Sequence, residues 1–245
     1  MIQIAIISDI HANLIALEKV LEDIDQRGIT DIYCLGDLVD FAPWGNEVIA
    51  MLQKRNIPCL LGNHDERIGF NQTIIPLAHH DEEETFQRNL AINFSKKTIT
   101  AAHKTWLTQR PYQLMLSFKT DYGIKNIWLV HASPRSNDEY IYESHSGEDL
   151  IKMLPNQSVD ALVMGHTHIS YIKHHKNILL VNCGSVGRSK ENHRQATYCI
   201  LNIANDVQAE IVKLEYDIET LTKAINESEI PDFYADFFRF QPDSL

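Results

Sequence analysis

Residues 2–13 read IQIAIISDIHAN, and this stretch decides the fold. Ile2 to Ile7 is a short apolar run rich in β-branched residues, which predicts a buried strand. From Asn13 to Arg27 apolar residues recur at Leu14, Leu17, Leu21 and Ile24, the spacing of one helix face, and Asn13 can cap that helix. Asp9 and His11 therefore fall at the carboxyl end of a strand that leads into a crossover helix. In open α/β sheets ligands bind at such strand ends.

The alternation continues outward. Ile32 to Leu35 predicts a second strand, Asn46 to Gln53 a helix and Pro58 to Leu61 a third strand, a βαβαβ opening that implies parallel pairing. Glu82 to Phe94 places Phe86, Leu90 and Phe94 at steps of four, and Thr98 can cap a further helix to about Gln109. Strands are then expected at Gln113–Phe118, Asn126–Val130, Ala161–Met164, Ile178–Val181, Thr197–Ile203 and Gln208–Leu214. A helix near Ile218–Asn226 and an aromatic tail follow. No repeat or Gly/Ser-rich linker interrupts the 245 residues, so one domain spanning 1–245 is expected.

Composition narrows the function. With 33 acidic and 22 basic residues the formal net charge is -11, and no basic run offers the face that a nucleic-acid backbone needs. Nucleic acid is thus a disfavoured partner. No apolar stretch reaches membrane-span length, and Met1 to Ser8 lacks the basic start of a signal peptide. Cys34, Cys59, Cys183 and Cys199 sit in apolar runs without zinc or redox spacing, which fits free thiols and a cytoplasmic location. Homo-oligomerisation stays open.

Ligand-type residues gather at the strand ends. Asp9 and His11 follow the first strand; Asp37 and Asp40 follow the second; Asn63 and His64 follow the third. His131 ends the Asn126–Val130 strand, and His166 and His168 follow Ala161–Met164. Each piece alone has an ordinary reading as a cap or turn, but five segments deliver these residues to one edge, seven of them the expected metal ligands. Two adjacent dications need a bridging carboxylate, and Asp37 is placed for it. Mixed O and N donors suit manganese best, with iron, zinc or nickel also fitting, over calcium. Glycines before Asp37, Asn63 and His166 are expected to let the backbone turn off its strands.

These blocks resemble the calcineurin-like metallophosphoesterase superfamily: Asp9-Ile10-His11, Gly36-Asp37-Leu38-Val39-Asp40, Gly62-Asn63-His64-Asp65, Val130-His131 and Gly165-His166-Thr167-His168, in that order. Asn182 to Gly187 is similar to the Gly-Ser segment of the small bacterial and archaeal phosphodiesterase-like branch. The resemblance implies a four-layer α/β/β/α sandwich of two mixed sheets. It places Asp9, His11, Asp37 and His168 on one metal and Asp37, Asn63, His131 and His166 on the other. His64 would be the general acid, oriented by Asp40, which would favour its protonated form. A hydroxide held by the two metals would attack phosphorus in line.

The implied substrate is a small phosphodiester or nucleotide-like phosphate compound. A dinucleoside polyphosphate hydrolase or a phosphomonoesterase is the alternative. Protein Ser/Thr phosphatases of the superfamily carry Arg where this chain has Phe41 and Leu61, which disfavours a phosphoprotein substrate. A non-catalytic scaffold would carry a degraded ligand set, and the set here is complete. Several residues stay two-sided. Asn13 binds phosphate or caps its helix, Arg188 contacts phosphate or solvent, and Arg135 is undecided. Trp44 stacks a base or packs in the core. The tail from Phe233 to Phe240 is expected to pack on the chain's own surface, and His79, His80, His174 and His175 to be surface residues.

Overall fold

The computed structural model describes residues 2–77, 80–155 and 158–239. Strand β1 (Ile2–Ile7) leads into helix α1 (Leu14–Gln26), then β2 (Ile32–Cys34), α2 (Gly45–Lys54) and the short α3 (Asn63–Gly69). Helices α4 (Glu82–Thr98) and α5 (Ala101–Thr108) precede the hairpin β3 (Gln113–Thr120) and β4 (Gly123–Val130). Helix α6 (Gly147–Met153) is followed by β5 (Ala161–Met164), β6 (Tyr171–His175), β7 (Ile178–Asn182), β8 (Ala196–Ile203) and β9 (Val207–Leu214). Helices α7 (Ile218–Asn226) and α8 (Phe233–Arg239) close the described chain.

The strands form two mixed sheets, one ordered β2-β1-β8-β9 and the other β3-β4-β5-β7-β6. β1 and β2 run parallel, with Ala5 opposite Ile32, while β8 runs antiparallel on the other side of β1. In the second sheet β4, β5 and β7 are parallel neighbours, and β3 and β6 are antiparallel edges. Side chains of β1 alternate between two cores, as the two-residue strand period requires. Ala5 and Ile7 pack with Leu17, Val20 and Ile24 of α1 and Val48, Ile49 and Leu52 of α2. Ile4 and Ile6 pack instead with Leu129 of β4, Val163 of β5 and Val181 of β7, which joins the two sheets. The opposite face of the second sheet offers Trp128, Leu162 and Leu180 to Leu150 of α6.

Two sequence expectations shift, and the aromatic tail packs on the chain's own surface as expected. Pro58 to Leu61 is not a ladder strand: it meets β2 through one parallel bridge, Cys34 to Cys59, with Cys34 N–H donating to Pro58 O and Leu60 N–H to Cys34 O. Proline has no N–H to extend the ladder. Thr98 ends α4, its hydroxyl donating back to Phe94 O, and Thr100 is the residue whose hydroxyl caps α5 by accepting from His103 N–H. The aromatic tail is helical, and Tyr234 and Phe238 are buried in a cluster with Phe41 and Leu221; Phe240 lies outside the described residues.

Backbone packing fixes where β1 ends. Val186 N–H donates to Ser8 O and Gly187 N–H to Asp9 O, so the segment after β7 lies directly on the β1–α1 turn. A Cβ at Gly187 would fall 1.7 Å from Ile10 O. Gly187→Ala is therefore expected to destabilise by about 3 kcal/mol, the upper end of ordinary overpacking, because backbone rather than a movable side chain stands in the way. Urea unfolding with an unchanged midpoint would show that the segment yields.

Candidate metal centre

The turns after β1, β2, β4 and β5, with the start of α3, meet at one place. Asp9, His11, Asp37 and His168 present ligand atoms within 4.8 Å of one another, and so do Asp37, His131 and His166. Asp37 is common to both groups. Asn63 joins the second, with Oδ1 at 3.1 Å from both His131 Nε2 and His166 Nδ1.

The chain holds these side chains at a conformational cost. Asp9, His11, Asp37, His166 and His168 all have φ between 49° and 66°, and Asp40 has φ 72°. Left-handed backbone at non-glycine residues clusters at functional sites, where the surroundings over-determine it. Of the three glycines before ligands only Gly36, at φ 106°, turns through glycine-favoured space. Gly62 and Gly165 serve close approach instead, since a Cβ at Gly62 would lie 2.2 Å from Asp37 N and one at Gly165 2.3 Å from Ser8 Oγ.

Hydrogen bonds occupy one side of Asp9, His11, Asp37, His131 and His168 and leave the side facing the group open. Asp9 Oδ2 accepts from His166 N–H at 2.9 Å and Asp37 Oδ1 from His64 N–H at 2.8 Å. Asp9 Oδ1, Asp37 Oδ2 and His166 Nε2 are buried without a hydrogen-bond partner among the described residues. His11, His131 and His168 each turn Nδ1 toward a backbone carbonyl, of Val39, Leu35 and Arg188, at 3.1, 3.1 and 2.7 Å. Such bonds fix the tautomer with the proton on Nδ1 and the lone pair on Nε2, the arrangement of a metal-ligating histidine. His11 Nε2 and His168 Nε2 lie 3.0 Å apart, two lone pairs converging on one point. Buried acceptors left unpaired are costly, and cations in the two groups would satisfy Asp9 Oδ1 and Asp37 Oδ2. The residues present fit divalent metal ions.

Electrostatics agree. Burial alone would raise Asp9 and Asp37, yet neighbouring histidines, His168 for Asp9 and His131 for Asp37, hold both carboxyls below the usual range. Burial would lower His131, but the Asp37 carboxylate takes it up to about 9. A cation must displace that proton to bind.

Support comes from Asp65, wholly buried in α3. Its carboxylate accepts from Leu38 N–H at 2.8 Å and Gly62 N–H at 3.1 Å, tying the Asp37 turn to the Asn63 turn. Burial and the Asp37 charge raise its pKa to about 8. Asp65→Asn leaves one acceptor for two donors. It is expected to lower metal affinity ~10–100-fold, the usual cost of losing an outer partner, and metal titration calorimetry on both proteins measures it.

His64 and Asp40 also meet: Asp40 Oδ2 is 2.6 Å from His64 Nδ1. Burial, together with Arg67 and Arg88 and against the pull of Asp37, pushes the His64 imidazole well below its ordinary value. Burial also raises Asp40 to about 7.

The centre opens into a cavity of about 340 Å³ lined by Asp37, Asn63, His64, His166 and His168 together with residues that sequence reading did not assign. Arg67 and Arg88 are among them, as are Tyr140, Lys190, Tyr234 and Phe237. Arg67 lies one turn after His64 on α3, with Nη1 3.1 Å from His64 Nδ1, and that spacing was the available signal. Arg188 is stacked over the rings of Phe41 and Phe237, at 4.3 and 4.5 Å. The ring standing where related phosphatases carry an arginine thus supports a different one.

The remaining two-sided residues resolve differently. Asn13 is buried, its Oδ1 accepting from Ala16 N–H and its Nδ2 donating to Gly187 O and to Tyr216 Oη, so it caps α1 and its amide is fully used within the chain. Arg135 is spent on Glu139 and Asp149. Trp44 packs against the cluster around Phe41 and Tyr234 and does not line the cavity. His79 lies outside the described residues, His175 pairs with Glu148, and His80 lines the cavity, not the general surface. All four cysteines are free and buried, and among the described residues no helix is long and apolar enough to cross a membrane.

Comparison with known proteins places the centre in context. The family profile described as "Calcineurin-like phosphoesterase superfamily domain" matches residues 2–206. An uncharacterized protein of Methanocaldococcus jannaschii is 30% identical over 247 residues, covering 94% of each chain. The crystal structure of a metallophosphoesterase from Sphaerobacter thermophilus is 25% identical and superposes with a TM-score of 0.75 over 97% of this chain and 98% of its own. A hypothetical protein from Pyrococcus horikoshii OT3 shares the fold at 17% identity, with a TM-score of 0.79 over 97% and 98% of the two chains. With a family match over most of its length and a divalent-metal ligand field at its strand ends, the chain belongs to the calcineurin-like phosphoesterase superfamily and is a metal-dependent phosphoric ester hydrolase.

Proposed function

We propose that the chain hydrolyses a small phosphodiester or nucleotide-like phosphate compound at a centre of two divalent ions, manganese being the preferred metal. Asp9, His11, Asp37 and His168 would hold one ion, and Asp37, Asn63, His131 and His166 the other. The observation that carries this reading is the pair of buried ligand groups sharing Asp37, with their outward atoms already hydrogen bonded and Asp37 Oδ2 left over. Divalent ions in such a centre supply Lewis acidity and a nucleophilic water at neutral pH.

The chain's own residues supply the rest. With Nδ1 occupied by Asp40, His64 has Nε2 left to give a proton to the leaving oxygen. In the free protein burial disfavours the charged imidazole. A phosphate anion entering the cavity adds negative charge beside it and shifts the balance toward the protonated form. Arg67 and Arg88 on one side and Arg188 on the other give the cavity guanidinium groups for phosphate oxygens. Among the described residues neither Arg88 nor Arg188 forms an ion pair with a carboxylate, and Arg188 Nε is buried without a partner. The cavity is walled by α4, through Glu84 and Arg88, and by α8, which suits small substrates over a phosphoprotein segment.

The test is a screen of manganese-loaded protein against phosphomonoesters, phosphodiesters, cyclic nucleotides, dinucleoside polyphosphates and a phosphopeptide. A diester or nucleotide-like compound is expected to give the highest kcat/KM. A phosphopeptide in first place would overturn the substrate assignment.

A further inference from the structure

Beside the metal cavity lies a second one of about 660 Å³. The two share Asn63, Arg67, Leu77, Arg88 and Asp138, so they adjoin along one wall. Helix α3 builds that wall. Asn63 turns to the metal centre, Arg67 stands where the cavities meet, and Glu66 faces the second one, positions three and four apart on one helix face. Arg88 faces the same junction from α4. It is buried, and among the described residues its guanidinium donates one hydrogen bond, from Nη1 to Ile75 O. Two neighbouring guanidinium groups, among the described residues without a carboxylate closer than the 3.9 Å from Arg67 to Asp40, call for an anion between them.

The body of the second cavity has a different chemistry. Its one further cation, Arg135, is committed to Glu139 and Asp149, and Glu66 and Asp138 add negative charge, so it does not suit another phosphate. Glu66 is the hub of a fixed polar wall: Oε1 accepts from Tyr112 Oη at 3.1 Å and from Gln72 Nε2 at 3.2 Å, and Oε2 accepts from Asn137 Nδ2 at 3.2 Å. Tyr112 is thereby tethered by its hydroxyl while 51% of the residue remains exposed. A pinned, accessible aromatic ring beside amide groups is a surface on which a flat heterocycle can stack and hydrogen bond.

We propose that this cavity is a nucleoside subsite: the substrate's base and sugar occupy it, with Tyr112 under the base, while Arg67 and Arg88 hold the phosphate that links them to the metal centre. The assignment rests on the phosphoesterase reading above and specifies its substrate as a nucleotide derivative. Binding of inorganic phosphate, ribose 5-phosphate and adenosine 5′-monophosphate to manganese-loaded protein, measured by calorimetry, separates the two. Adenosine monophosphate is expected to bind at least about fivefold more tightly than ribose 5-phosphate, the lower bound for stacking on an aromatic ring. Tyr112→Ala, at a half-exposed position, is expected to abolish that gain, and Asn137→Ala to reduce it. Equal affinity of the two compounds for the wild-type protein, or a gain retained in both variants, would overturn the subsite while leaving the metal centre intact. Failure of phosphate itself to bind would instead overturn the phosphoesterase reading and the subsite with it.

Discussion

Asp37→Ala is expected to lose bound divalent metal and phosphoester hydrolysis together. Asp37 is the residue common to both ligand groups, and its Oδ2 is buried with no hydrogen bond while Oδ1 is held by His64 N–H. Removing an outer-shell partner typically costs ~10–100-fold in metal affinity or activity. Removing the shared ligand is expected to exceed that range for both ions, since each loses a donor and two clusters of histidines are left facing each other. Metal content by elemental analysis and kcat/KM on a model diester check the two losses in parallel. A variant that keeps two ions per chain at wild-type activity would remove Asp37 from the bridge.

His64→Ala is expected to discriminate between leaving groups. A general acid typically contributes ~10²–10⁴-fold, and an activated aryl leaving group needs little of it. The loss in turnover is therefore expected to be at least about 10²-fold on an alkyl or nucleoside ester and far smaller on a nitrophenyl ester. Metal content is expected to stay constant, because the imidazole bonds to Asp40 and lies near Arg67, outside both ligand groups. Equal losses on both ester types would assign His64 to holding phosphate instead.

The extent to which the chain could be read in advance varies with the physics of each part. β1, α1, α2 and the strands β5, β7, β8 and β9 were legible because burial on one or both faces imposes an apolar period. Helix α3 was not: at seven residues it is too short to show a period, and its sequence is occupied by Asn63, His64, Asp65, Glu66 and Arg67, each placed for its partners. Strand β6 escaped notice because Tyr171–His175 pairs at a sheet edge with two exposed residues in five. Within the centre, the ligand-type residues announced themselves by chemistry and by their place after strands. The support did not. Arg88 lies mid-helix in α4, and the contact of α8 with Arg188 joins residues about fifty apart in sequence, a relation that no local pattern encodes. The desolvation that lowers His64 is likewise a property of the assembled cavity.

A pair of ions in a centre built on Asp37 is tested most directly by metal stoichiometry. Protein freed of metal with chelator, reconstituted with excess manganese and desalted, is to be analysed for bound metal per chain by mass spectrometry. Two ions per chain are the expected result, falling below one in Asp37→Ala. Wild-type protein that retains no manganese, yet hydrolyses phosphoesters in the presence of chelator, would contradict it.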